Sequence, residues 1–335
     1  MTVRMLQFFS NANLIFASLV VFIFLFTGCK SKDKDKSDSE ISGELVIFHA
    51  GSLTVPIHEI ADSFNVQYPD VKVKMEASGS VDAARKISDL GREADLMASA
   101  DYKVIENLLI PDYTSWFIKF ASNELALVYD ENSRYADEIA RENWPEILLR
   151  DDVDYGRSDP DADPCGYRSV LTVQLAEKYY KCPQLAEKIL NKNTNYIRPK
   201  ETDLLALLES NALDYIFIYR SVAVQHGLDY IALPDSINLG NPEYKDYYKT
   251  ASVEISGKRP QEKISVEGEP MVYGITILNN APNKPAAEAF LHFLLSKNNG
   301  LDILEKNGQA SVIPASNSFY KAIPDGFKQY AKPGE

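Results

Sequence analysis

Cysteine is scarce in this chain, with three in 335 residues at positions 29, 165 and 182. There is no CxxC pair, no HExxH, no GxxxxGKS/T and no GxGxxG after a strand, so the common zinc, nucleotide-phosphate and dinucleotide sites have no sequence basis. Histidine is equally thin, and His49, His58, His226 and His292 are scattered as surface or packing residues. His49 lies three residues before Ser52, but no carboxylate is placed to complete a triad. Basic charge is also in deficit. Lys and Arg number 35 against 48 Asp and Glu, a net charge of −13, which argues against a nucleic-acid surface and against any anion being held by a general positive field. An anion bound here must be held by local N–H groups.

The first forty residues stand apart. Arg4 supplies a positive start, Leu14 to Phe26 is an almost unbroken apolar run, and Phe26-Thr27-Gly28-Cys29 precedes a charged tract ending at Glu40. This resembles a bacterial lipoprotein signal with Phe26 where Leu is usual. The expectation is cleavage of residues 1–28, lipid on Cys29 and a flexible tether over 29–43, and the alternative is an uncleaved single anchor. Cys165 and Cys182 then flank a helix predicted over Arg168–Lys181, about 25 Å apart at 1.5 Å per residue, too far for a disulfide.

Glu44 to Gln67 sets the pattern for the rest. Leu45, Val46, Ile47 and Phe48 form an apolar run suited to a buried strand, and Ile57, Ile60, Ala61 and Phe64 share one helical stripe. Gly51 allows the tight turn between them and Ser52 is placed to cap the helix, whose N-terminus suits an anion. Val71–Glu76 repeats the strand, Ser78-Gly79-Ser80 the turn, and Ala84, Ile87 and Leu90 the helix stripe. With Asp95–Ala98 as a third strand and Tyr102–Leu108 as a further helical turn, repeated βα units imply a mostly parallel sheet.

Phe117–Tyr129 reads as an extended crossover, broken by Ser122 and Asn123, into a second domain. That domain opens with Trp144–Leu149 and an acidic loop, Asp151–Asp163. Asp163-Pro164-Cys165 precedes one helix, and Glu201 lies in the first turn of another, where the helix dipole favours a carboxylate. Leu213–Tyr219 is a buried strand, Pro234–Gly268 has no clear pattern, Val272–Ile277 is a second crossover-like strand, and Pro285–Leu295 is a helix with Ala286, Phe290, Phe293 and Leu294 inward. Strand, small polar loop and helix start therefore recur at Ser52, Ser80, Cys165 and Glu201. Four such loops split between two lobes suit one anion held in the cleft between them.

HAGSLTVP, EASGSVDAARKISDLGREADLMASAD, DPCGYRS, RPKETDLLALLESNALDYIFIYRSVAVQHGL and PMVYGITILNNAPN together resemble the extracellular tungstate/molybdate-binding proteins of ABC transporters, archaeal type, over most of residues 44–310. The resemblance implies an α/β, two-lobed type II periplasmic-binding-protein fold with two crossover strands: 44–121 and 275–335 in lobe I, 122–274 in lobe II. It implies a monomeric, non-enzymatic receptor without cofactor, working outside the cytoplasm with a permease and its ATPase and held to a membrane through Cys29. The oxyanion contacts it implies are Gly51, Ser52, Ser80, Asp163, Pro164, Cys165, Glu201 and Tyr219, with Asp163 and Glu201 reaching the tungsten or molybdenum itself. The alternatives are a receptor for sulfate or phosphate, and a hydrolase using Ser52.

Overall fold

A computed structural model describes residues 41–259 and 261–334. The expected signal peptide, Cys29 and most of the tether lie outside the described residues. Two sheets carry the fold, one of six strands and one of five.

In the first sheet β1 (Gly43–Ala50) runs parallel to β2 (Val71–Ser78) on one side and β3 (Leu96–Ser99) on the other. Beyond β3 the sheet is antiparallel, through β12 (Val272–Ile277), β4 (Ile118–Ser122) and the short β13 (Ala310–Ser311). The order is β13-β4-β12-β3-β1-β2. A returning strand therefore closes what the βα repeat predicts as a parallel sheet. Helix α1 (Thr54–Gln67) buries Ile57, Ile60, Ala61 and Phe64, the stripe read from the sequence. Phe64 meets Phe290 and Phe293, ring centroids 5.2 and 5.7 Å apart, on the helix Lys284–Leu294. Burying one such ring stabilises by about 1.5 to 3 kcal/mol.

The run Phe117–Tyr129 is two strands rather than one. β4 belongs to the first sheet and β5 (Leu125–Tyr129) to the second, with Asn123 and Glu124 between them. In the second sheet β5 pairs antiparallel with β8 (Tyr215–Tyr219) and β9 (Asp229–Ala232), while β6 (Tyr155–Ser158) is parallel to β7 (Ile197–Arg198) and to β8. The order is β7-β6-β8-β5-β9. Helix α3 (Pro164–Tyr179) lies on this sheet, and Trp144 and Tyr155 pack edge-on to Phe217. Val272 pairs with Ser122 inside the first sheet, beside the connection from β4 to β5.

Three local expectations change. Leu90 follows helix α2 (Ser80–Ser88) and is 71% exposed, because the helix ends before a third turn could turn that residue inward. The uninterpreted Pro234–Gly268 includes an antiparallel hairpin of β10 (Ser252–Ser256) and β11 (Lys263–Glu267). Ser52 does not cap the helix that follows it, since α1 has no side-chain cap. Cys165 is buried and Cys182 exposed, both as free thiols.

Candidate functional site

The loops that sequence reading singled out leave the C-terminal ends of parallel strands, the edge at which open α/β sheets present ligand groups. Gly51 and Ser52 follow β1, Ser80 follows β2, Asp163 lies on the loop after β6, Glu201 follows β7 and Tyr219 ends β8. The strand run Leu45–Phe48 and the all-buried run Tyr215–Tyr219 are rigid enough to fix where each loop starts.

Glu201 lies at the centre of this cluster. Its residue is fully buried, and neither carboxylate oxygen has a hydrogen-bond partner of normal geometry. A Cβ on Gly51 would lie 2.8 and 2.9 Å from those two oxygens and 2.9 Å from Thr202 Oγ1, so a larger residue here would push the Glu201 and Thr202 side chains out of their places. Burial first, then the nearby Asp163, hold the Glu201 carboxyl well above the usual carboxylate range; the Ser52 amide opposes this weakly. A carboxylate so placed costs stability until something satisfies it.

Asp163 differs. Its Oδ1 accepts from Cys165 N at 3.2 Å, capping α3, and its Oδ2 accepts from Glu201 N at 3.0 Å. Burial raises its pKa, opposed first by the neighbouring Glu201 side chain and Ser158 hydroxyl and then by the two amides, and the net direction is upward. Asp163 therefore binds the α3 start to the Glu201 turn. Pro164 has no N–H to offer, the Cys165 N–H is already given to Asp163, and the Cys165 thiol turns towards Phe217 O at 3.7 Å. Among the described residues no group of three or more His, Cys, Asp or Glu is placed to hold a bare metal ion.

Three hydroxyls stand on these same elements, and each is tied to residues that the sequence reading did not single out. Ser52 Oγ is 3.0 Å from Tyr273 Oη, which Asn123 Nδ2 approaches to 2.9 Å. Ser80 Oγ accepts from Ala100 N at 3.0 Å. Tyr219 Oη accepts from Arg168 Nη1 at 3.0 Å, and the same Nη1 donates to Ala100 O at 2.8 Å. Arg168 also pairs with Asp101, whose Oδ2 accepts from Tyr167 Oη at 2.7 Å. Only the break at Asn123 in an apolar run signalled any of these positions; the others read as ordinary strand and helix residues. His49 is buried with Nδ1 on Ala50 O at 2.8 Å and its pKa pushed down to about 4 by burial, so its ring serves the β1 end rather than Ser52.

The two sheets meet closely around these groups. A Cβ on Gly79 would fall 2.3 Å from Ala162 O, and Asp82 N donates to that carbonyl at 3.2 Å. A cavity of about 290 Å³, lined by Val81, Asp101, Lys103, Tyr167, Ser256 and Val266 among others, adjoins the α2 start and the Asp101–Arg168 pair.

Two sheets with their ligand-facing loops pressed together, buried hydroxyls and an unsatisfied carboxylate define a two-lobed solute receptor of the type II periplasmic-binding-protein fold. The profile of the family described as "Bacterial extracellular solute-binding protein" matches residues 45–309, and the chain belongs to that family. It is 53% identical to an uncharacterized solute-binding protein of Petrotoga mobilis over 88% of this chain and 92% of that one. It is 43% identical to the molybdate/tungstate-binding protein WtpA of Pyrococcus abyssi, over 89% and 92%. The periplasmic molybdate-binding protein of Azotobacter vinelandii shares the fold, with TM-score 0.55 at 16% identity over 81% of this chain and 99% of that one. Family membership places the protein outside the cytoplasm, as a binding protein and not an enzyme.

Proposed function

We propose that this receptor binds the tetrahedral oxyanion of tungsten or molybdenum between its two lobes and hands it to the permease and ATPase of an ABC transporter. The observation that carries the reading is Glu201, a buried carboxylate with both oxygens unpartnered, beside the Gly51–Ser52 turn. In its ionised form Glu201 repels a dianion by on the order of 4 kcal/mol at 4 Å with an effective dielectric near 20, and giving up the proton that burial and Asp163 favour adds to that cost. Sulfur in sulfate offers nothing in return. Tungsten and molybdenum accept further oxygen ligands, so Glu201, joined by Asp163, turns from a repulsive group into a ligand. Ser52, Ser80 and Tyr219 then donate O–H to the anion's own oxygens. The match to a molybdate/tungstate-binding relative at 43% identity supports the same choice.

The remaining parts of the reading follow the sequence. Residues 1–28 direct export, Cys29 carries lipid, 29–43 is a tether, and the parts built on the two sheets close on the ligand as separate lobes, as a monomer and without a cofactor. Native mass spectrometry of the purified protein, followed by calorimetric titration with tungstate, molybdate and sulfate, tests the assignment. Retention of tungstate or molybdate with weak sulfate binding is expected. A protein that prefers sulfate or phosphate, or that turns over esters through Ser52, contradicts it.

A further inference from the structure

The three hydroxyls of the site are each fed by a group that can only donate. Ala100 N–H points to Ser80 Oγ, and the Arg168 guanidinium, which has no acceptor, points to Tyr219 Oη. The third chain is longer. Asn123 Oδ1 accepts from the backbone N–H of Glu124 at 2.9 Å and of Ser221 at 3.4 Å, which fixes the amide's orientation. Its Nδ2 must then face Ser221 Oγ at 2.7 Å and Tyr273 Oη at 2.9 Å, and an amide nitrogen only donates. Tyr273 Oη accepts, and burial keeps the phenol protonated. Among the described residues its hydrogen has one acceptor in reach, Ser52 Oγ at 3.0 Å. Ser52 accepts in turn, which leaves its own hydrogen for a ligand.

We infer that Asn123 and Tyr273 are positioning residues that fix the direction of the Ser52 hydroxyl, as Arg168 and the Ala100 amide do for Tyr219 and Ser80. All three hydroxyls are thereby held as donors to whatever occupies the site. The consequence is that every anion oxygen facing these three hydroxyls must accept, so an O–H of a protonated anion can be placed only against the Glu201 and Asp163 carboxyl groups. Asn123 also links the strand β4 exit to Ser221 on the helix Arg220–His226, so the relay spans the connection between the two sheets. The inference rests on the oxyanion reading of the site.

Asn123→Asp reverses the relay with almost no change of shape. The introduced carboxylate retains both backbone amide donors on one oxygen, and its other oxygen is satisfied by the hydroxyls of Ser221 and Tyr273, so every neighbour can still be paired. Tyr273 then donates to that carboxylate, Ser52 donates to Tyr273, and Ser52 turns a lone pair to the ligand. Calorimetric titration with tungstate of the parent, S52A, N123D and N123D/S52A tests this. S52A is expected to weaken binding about tenfold in the parent and less than twofold in N123D. The added negative charge weakens both N123D proteins alike and cancels in the comparison. An equal S52A penalty in both backgrounds overturns the relay and leaves the oxyanion reading intact. If the parent binds no tungstate, the reading itself fails and the relay with it. Y273F supplies the same test without a buried charge: its loss should vanish once Ser52 is replaced by Ala, whereas a merely structural Tyr273 would cost as much in either background.

Discussion

Arg168 and Asp101 form a buried ion pair between the two sheets, with Nη2 3.0 Å from Oδ2 and both side chains 3% exposed. Asp101 follows β3 in the first sheet, and Arg168 belongs to α3 on the second. Taking either charge away strands the other in a dry site, which typically costs about 3 to 5 kcal/mol, whereas removing both together costs less. D101N should therefore unfold at markedly lower denaturant, and the double variant D101L/R168M should recover part of the loss. Equal, additive losses in urea unfolding would mean that the pair is held apart by water in solution.

Glu201→Gln should separate stability from function. In the ligand-free protein its pKa is raised above the ordinary 4.5 by burial and by Asp163. The folded state therefore holds a proton that the unfolded chain has released, and stability falls as pH climbs from about 4.5 through the raised value. Gln carries no such penalty. E201Q should raise the stability of the ligand-free protein by about 1 to 3 kcal/mol at neutral pH, flatten its pH dependence, and weaken tungstate binding at least tenfold. Melting curves across pH, with and without tungstate, check all three. A variant less stable than the parent at pH 7 and 5 alike would assign Glu201 a structural task.

Gly79 marks where closure demands a missing side chain. The obstacle there is backbone, Ala162 O at 2.3 Å from an added Cβ, so no side chain can swing away. Gly79→Ala should weaken tungstate at least tenfold and, since the sheets meet here as they do at Arg168–Asp101, lower the unfolding free energy by about 1 to 3 kcal/mol. Unchanged affinity by calorimetry would show that the bound form is less tightly closed than this arrangement.

The anchor is tested by Cys29→Ser, which should abolish incorporation of labelled fatty acid and leave tungstate affinity unaltered, the ligand loops beginning only at Gly51. Continued labelling would contradict a lipoprotein.

Much of the fold was legible because burial imposes a period. Ile57, Ile60, Ala61 and Phe64 announced α1, and Tyr215–Tyr219 announced a strand buried throughout. The recurrent strand, small-residue loop and helix start singled out Ser52, Ser80, Cys165 and Glu201, and the resemblance added Asp163, Pro164 and Tyr219; in the structure Glu201 adjoins Gly51 and Asp163, and Ser80 and Tyr219 are joined through Ala100 and Arg168. What failed was the local account of some of them. A serine before a helix reads as a cap, and only the tertiary partners Tyr273, 221 residues from Ser52, and Ala100, 20 from Ser80, show that both hydroxyls are engaged elsewhere. Asp163 in turn does cap a helix while also holding Glu201. Asn123, Arg168 and Tyr273 carried no signal of role, since their importance lies in which long-range neighbours their hydrogen bonds reach.

The central claim is that a carboxylate of this site binds the metal of the oxyanion, and X-ray absorption at the tungsten edge of the loaded protein measures it most directly. Six oxygen neighbours in the parent and fewer in E201Q are predicted. Four-coordinate, tetrahedral tungsten in the parent would contradict the account and leave a receptor that holds its anion through N–H and O–H donors alone.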